Sequence, residues 1–132
     1  MKSFFTMAEE VQRKMQMELD KYKQIQKEYQ RAVSIRQQLD GQLSENTFVK
    51  DELDMLKPGA EVFKLIGPVL LKQSLEEAKQ TVLKRMEFIK GELKRQEDLL
   101  QDLDKKQDAH RETLNKLQQQ FQHMQVKAAM KA

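Results

Sequence analysis

The sequence predicts a mainly α protein, a long antiparallel two-helix coiled coil with one β-hairpin at the connecting end. Three observations predict it. Two highly charged stretches carry apolar residues at three- and four-residue steps, the sign of helices pairing along a narrow seam. Between them lies one short apolar segment, Val62-Phe63-Lys64-Leu65-Ile66-Gly67-Pro68-Val69-Leu70-Leu71-Lys72, β-branched and aromatic around a Gly-Pro breaker. The composition is rich in Glu, Lys, Gln and Leu, with 34% charged and only 6% aromatic residues and no Trp. That is the composition of long paired helices rather than of a globular core.

The first helix is expected over about residues 7–56. Thr6-Met7-Ala8-Glu9 fits a capping box at its start. Alternating four- and three-residue steps then give a seam of Val11, Met15, Glu18, Tyr22, Ile25, Tyr29, Ala32, Arg36, Leu39, Leu43, Asn46, Lys50 and Leu53. Nine of these thirteen positions are apolar. The average step of about 3.5 residues is the period of a left-handed coiled coil. Glu18, Arg36, Asn46 and Lys50 interrupt the seam and are candidates for fixing register. Lys57-Pro58-Gly59 cannot continue a helix, so the first one ends near Leu56.

The second helix is expected over about residues 74–127, opened by Ser74-Leu75-Glu76-Glu77 in the same grammar. Its seam reads Leu75, Lys79, Val82, Met86, Ile89, Leu93, Gln96, Leu100, Leu103, Gln107, His110, Leu114, Leu117, Phe121 and Met124, eleven of fifteen apolar. Asp102 with Lys106 and Glu112 with Lys116 are four apart, pairs worth a few tenths of a kcal/mol each. Gly41 and Gly91 fall between seam positions and are expected to face outward. Two stretches of nearly equal length joined by a compact turn fold back on each other. The whole of 1–132 then forms one structural unit, a stalk with the hairpin at one end and both termini at the other.

The hairpin, expected over about residues 61–73, sets the functional argument. Seven of its ten residues from Val62 to Leu71 are apolar, and an isolated two-stranded hairpin is marginal in water. Leaving those side chains wet would forgo roughly 10 kcal/mol, at about 1.5 kcal/mol each. Both faces carry apolar groups, Phe63 and Leu65 on one and Val62 and Ile66 on the other. One face can pack on the helix bases while the other enters a sheet formed with another chain. Val62, Phe63, Leu65, Ile66, Gly67, Val69, Leu70 and Leu71 are therefore the candidate assembly residues.

Other functions find little support. A helix pair encloses no deep pocket, so no catalytic residues are assigned and the chain is not read as an enzyme. There is no Cys, hence no thiolate metal site, and no cofactor is expected. His110 stands on the seam without a patterned carboxylate or second His, and His123 reads as solvent-facing. Glu97, Asp98, Asp102 and Asp104 form a solvated helix surface, with no pocket to shift their pKa values. Gly67 lacks the Lys-Ser/Thr of a phosphate loop, so no nucleotide is expected. The +3 net charge comes from 24 basic and 21 acidic residues intermixed within single turns, unlike the segregated patch of a nucleic-acid binder. No apolar run approaches the ~20 residues of a membrane span, and the stretch after Met1 is too short for a secretory leader. A cytoplasmic chain with neither membrane nor nucleic-acid partners is the expectation.

The string from Val62 to Gln73 resembles the hairpin signature of β-type prefoldin subunits. The flanking Gln38-Leu39, Leu43-Ser44-Glu45-Asn46 and Arg111-Glu112-Thr113-Leu114 resemble those of eukaryotic β-type members. The resemblance covers the chain from about Met7, leaving the first six residues as an extension. It implies an ATP-independent holding chaperone, a hetero-hexamer of two α-type and four β-type subunits. Their hairpins would build a double β-barrel from which six coiled coils hang. The coil tips would grasp non-native clients such as actin and tubulin and pass them to the cytosolic chaperonin. On that reading Met7, Val11, Met15, Met17, Leu117, Phe121 and Met124 are the client-binding candidates, with Met130 beside them. Methionine is flexible and polarisable, suited to surfaces that adapt to many shapes. Val11, Met15, Leu117 and Phe121 have a second role open to them, that of simply closing the coil. The main alternative to a chaperone subunit is a structural coiled-coil tether, which leaves the hairpin without a purpose.

Overall fold

Helix α1 spans Phe4–Asp54, strand β1 Val62–Ile66, strand β2 Val69–Gln73 and helix α2 Leu75–Lys131 in a computed structural model that describes residues 3–131. α1 starts earlier than the Thr6 box predicts because Ser3 supplies the cap. The Thr6 amide donates to Ser3 Oγ at 3.2 Å and the Met7 amide to the Ser3 carbonyl at 3.1 Å. Both Ser3 and Thr6 can cap, and nothing in Phe4 or Phe5 breaks a helix, so the earlier residue gains the extra turn. At the far end of α1 the amides of Met55 and Leu56 reach back to Asp51 and Leu53 at 3.2 Å. Pro58 and a left-handed Gly59, with φ of 86°, then turn the chain.

α2 is capped where the sequence indicates. The Glu77 amide donates to Ser74 Oγ at 3.1 Å, and Glu76 and Glu77 place negative charge on the first turn. The helix runs past residue 127 to Lys131, since no Gly or Pro interrupts it.

Gly67-Pro68 forms a two-residue hairpin loop. Gly67 adopts φ of 55°, the left-handed conformation that a Gly-first tight turn requires, and Pro68 needs no amide donor there. The antiparallel register pairs Ile66 with Val69, Leu65 with Leu70, Lys64 with Leu71, Phe63 with Lys72 and Val62 with Gln73.

The fold divides into two compact units, residues 3–32 with 99–131, and residues 33–98. In the hairpin unit, Leu53 of α1 buries against Ala78, Val82 and Met86 of α2, with Leu43, Val62 and Leu75 packed around them. Arg36 meets Glu97 at 3.4 Å and Asp54 meets Lys79 at 3.8 Å, so the helix segments here run antiparallel. In the terminal unit, Val11, Ile25 and Ala32 are buried with Leu100, Leu103 and Met124. Phe4 and Met7 border the stretch from Gln120 to Lys131, while Gln12 to Tyr22 border Arg111 to Gln118, again antiparallel. The heptad reading holds closely. Every seam position of α2 is buried or half-buried, and on α1 only Arg36 is exposed.

The seam polar groups behave unequally. Asn46 bonds its own helix, donating to the Gln42 carbonyl at 2.8 Å, and Lys50 pairs locally with Asp54 at 3.1 Å. Glu18 crosses the pair to accept a hydrogen bond from His110 Nδ1. His110 thus does have a carboxylate beside it, supplied by the other helix, where a scan along α2 alone could not find it. Next to this contact the Arg111 guanidinium donates to the Tyr22 hydroxyl at 3.1 Å and lies 5.8 Å from its ring centroid. The hydrogen bond from His110, opposed by partial burial and helped by Lys21 at 3.7 Å, holds the Glu18 carboxyl below its ordinary value of 4.5. A depressed carboxyl stabilises the fold fully above that ordinary value and loses its contribution as pH falls through the lowered one.

Two outcomes are expected. Glu18→Gln should melt below the parent chain at about pH 7, and the gap should narrow as pH falls below the ordinary carboxyl range, read by circular dichroism. A Cβ added at Gly41 or Gly91 meets nothing within 4 Å, so Gly41→Ala and Gly91→Ala should each add about 1 kcal/mol of stability in urea melts.

Candidate functional site

The hairpin meets the helices of its unit through the start of β1 and the end of β2, where Val62, Phe63, Lys64 and Gln73 line a cavity with Val49, Leu53, Ala78, Val82 and Arg85. Val62 and Gln73, opposite each other at the open end of the ladder, are half-buried. Val62 packs on the Leu53-Ala78-Val82-Met86 cluster, and Lys72 meets Glu61 at 3.3 Å. From Phe63 to Lys72 every residue is exposed. The register places Val62, Lys64, Ile66, Val69 and Leu71 on one face and Phe63, Leu65, Leu70 and Lys72 on the other. Leu65 is 68% exposed, Leu70 64%, and Phe63, Ile66 and Val69 each 51%. The expectation that one whole face packs on the helix bases therefore needs correction. Only the first ladder pair, Val62 with Gln73, is half-buried. Both faces stay open.

The outer edges are open as well. Among the described residues the sheet has two strands, and β1 and β2 pair only with each other, so each has one side of its backbone free for another strand. All eight candidate assembly residues thus lie together on one hairpin, seven of them apolar side chains and the eighth, Gly67, at its turn.

The second group of candidates is split by burial. Val11 and Met124 belong to the core of the terminal unit, and Met15, Leu117 and Phe121 are half-buried in the seam. Met7 and Met17 are exposed, and Met130 is 83% exposed. Phe4, Met7 and Met124 come together in a groove of about 460 Å³, with Gln120, His123, Lys127, Ala128 and Lys131 along the α2 side. Met15 and Leu114 line a second groove with Leu19, Tyr22 and Arg111. Met17 borders neither. Sequence reasoning missed Phe4, Phe5 and Val126, all exposed apolar residues of this unit. The first two lie before the expected helix start, and Val126 lies off the seam. Two adjacent phenylalanines in an otherwise aromatic-poor chain were the available signal.

Among the described residues no group of three or more His, Cys, Asp or Glu could hold a metal ion, and no helix is long and apolar enough to cross a membrane.

Comparison with known proteins gives a consistent answer. The family described as "Prefoldin subunit" matches residues 16–121. The chain is 50% identical to prefoldin subunit 6 of Mus musculus over 123 residues, 93% of this chain and 97% of that one. It is 48% identical to the probable prefoldin subunit 6 of Drosophila melanogaster, over 89% of this chain and 92% of the relative. The fold is similar to the crystal structure of the prefoldin beta subunit from Thermococcus strain KS-1. That match has a TM-score of 0.54 and 24% identity, covering 83% of this chain and 90% of the other.

Proposed function

Because the chain belongs to the prefoldin subunit family, we propose that it is a β-type subunit of a hetero-hexameric, ATP-independent holding chaperone. The observation that carries this reading is the hairpin exposed on both faces and both edges. One covered face would suit a local ornament of the helix bases. Two open faces call for a sheet that continues sideways into other strands and buries side chains above and below. α-type and other β-type subunits would supply those strands.

The terminal unit would then do the holding. Its exposed Met7, Met17 and Met130, with Phe4 and Phe5, offer soft apolar contacts to a non-native chain. Val11, Met15, Leu117, Phe121 and Met124 would join them when the helix ends part. Each contact is weak, and useful affinity arises from several subunits around one client. Clients such as actin and tubulin would be handed in the cytoplasm to the chaperonin. No step needs a nucleotide, a cofactor or catalysis, since capture and release follow from reversible apolar contact.

Mixing tests this directly. Alone, the chain should be monomeric or ill-defined, and an α-type partner should draw it into a defined hexamer by light scattering. That hexamer should suppress aggregation of a denatured client without ATP. Phe63→Asp with Leu65→Asp should prevent hexamer formation while helicity is retained; normal assembly of that variant would refute the hairpin interface. Removing residues before Val11 and after Leu117 should leave the hexamer intact and weaken holding, and undiminished aggregation suppression would refute the capture role of the helix ends.

A further inference from the structure

The groove between the first turns of α1 and the last turns of α2 is chemically one-sided. Its floor is apolar, from Phe4, Met7 and Met124, and its charged or titratable lining is His123, Lys127 and Lys131. Among the described residues no acidic one lines it, and the first turn of α1 carries none either. The positive end of the α1 dipole is therefore left uncompensated by side chains beside this groove. Glu9 and Glu10 follow further along α1 and do not line it. The intermixing of charge seen along the rest of the chain stops here.

We propose that this groove takes apolar segments of non-native polypeptide that are flanked by acidic residues, and discriminates against the same segments flanked by basic ones. The inference rests on the reading that the terminal unit captures clients, and it adds a client class to that reading. The apolar floor supplies attraction that is indifferent to sequence. Lys127 and Lys131 supply the preference. An acidic flank places its carboxylates beside ammonium groups, whereas a basic flank meets like charge there. Two exposed charge pairs gained against two repulsions incurred amount to a discrimination of roughly tenfold, and the contacts are screened by salt.

Two fluorescent peptides with one shared apolar core test it, one flanked by Asp and the other by Lys, titrated by anisotropy with the full-length chain. The Asp-flanked peptide should bind roughly tenfold more tightly at low salt, and the gap should close toward 1 M salt. Lys127→Glu with Lys131→Glu should reverse the preference while leaving the helical circular dichroism intact. Phe4→Ser with Met7→Ser should weaken both peptides together. Equal binding of the two peptides, unmoved by the lysine reversals but lost with Phe4→Ser and Met7→Ser, would overturn the charge selection and leave capture by this unit standing. Binding of both peptides untouched by either pair of substitutions would remove the groove as a site altogether.

Discussion

A two-stranded sheet exposed from Phe63 to Lys72 is the constraint on which the rest of this structure turns. Each strand satisfies one side of its backbone on the other and leaves one side open. The side chains fare no better, because only the Val62 end of the ladder reaches the buried cluster of Leu53, Ala78, Val82 and Met86. A soluble chain can tolerate scattered exposed apolar residues, but a contiguous patch of this kind marks an interaction surface. Gly67 and Pro68 make the turn so tight that the strands cannot splay to cover themselves. The segment is stable in shape and unsatisfied in surface, and that combination suits a building block of a larger sheet.

The helices show the complementary economy. Their seam is narrow and mostly apolar, which gives adhesion but little information about register. Glu18 with His110, and Arg36 with Glu97, add specific contacts across the helix segments at two levels of the sequence. A slip by one heptad would leave the half-buried Glu18 without its donor, and an unpaired polar group away from water is costly. The Arg36–Glu97 pair is exposed and contributes little energy by comparison. Register information is therefore concentrated where the polar pair is partly shielded from water.

Much of this was legible in the sequence, and the reasons differ by element. Seam residues could be named because burial along a coiled coil repeats with the helical period, so a local pattern reports a long-range contact. The Gly-Pro turn and the Ser74 cap could be named because each is a local rule satisfied within a few residues. The true start of α1 was missed because Ser3 and Thr6 obey the same local rule, and only the continued helix decides between them. The Glu18–His110 contact was missed for a different reason. Its partners lie 92 residues apart, and no periodicity along one helix reveals which residue of the other stands opposite. The exposure of both hairpin faces also depended on something local patterns do not encode, namely how the hairpin is set against the helices.

The two candidate surfaces make opposite use of apolar side chains. The hairpin presents Phe63, Leu65, Ile66, Val69, Leu70 and Leu71 on a backbone held by paired strands and a tight turn. Phe63, Ile66 and Val69 are aromatic or β-branched, and such groups on a fixed frame favour one geometry, which is what a defined assembly needs. The terminal unit presents Met7, Met17 and Met130 exposed on its helices, where the side chains have several rotatable bonds. Such a surface pays for its tolerance with weak contact, since each flexible side chain loses entropy when it is held. Stiff side chains on the hairpin would suit an assembly surface and flexible ones in the other unit a capture surface, and weak capture contacts would make multiplicity necessary. Were the terminal unit to capture clients as proposed, each contact would be weak whatever its charge preference, and a hairpin that gathered several such surfaces around one client would supply the affinity.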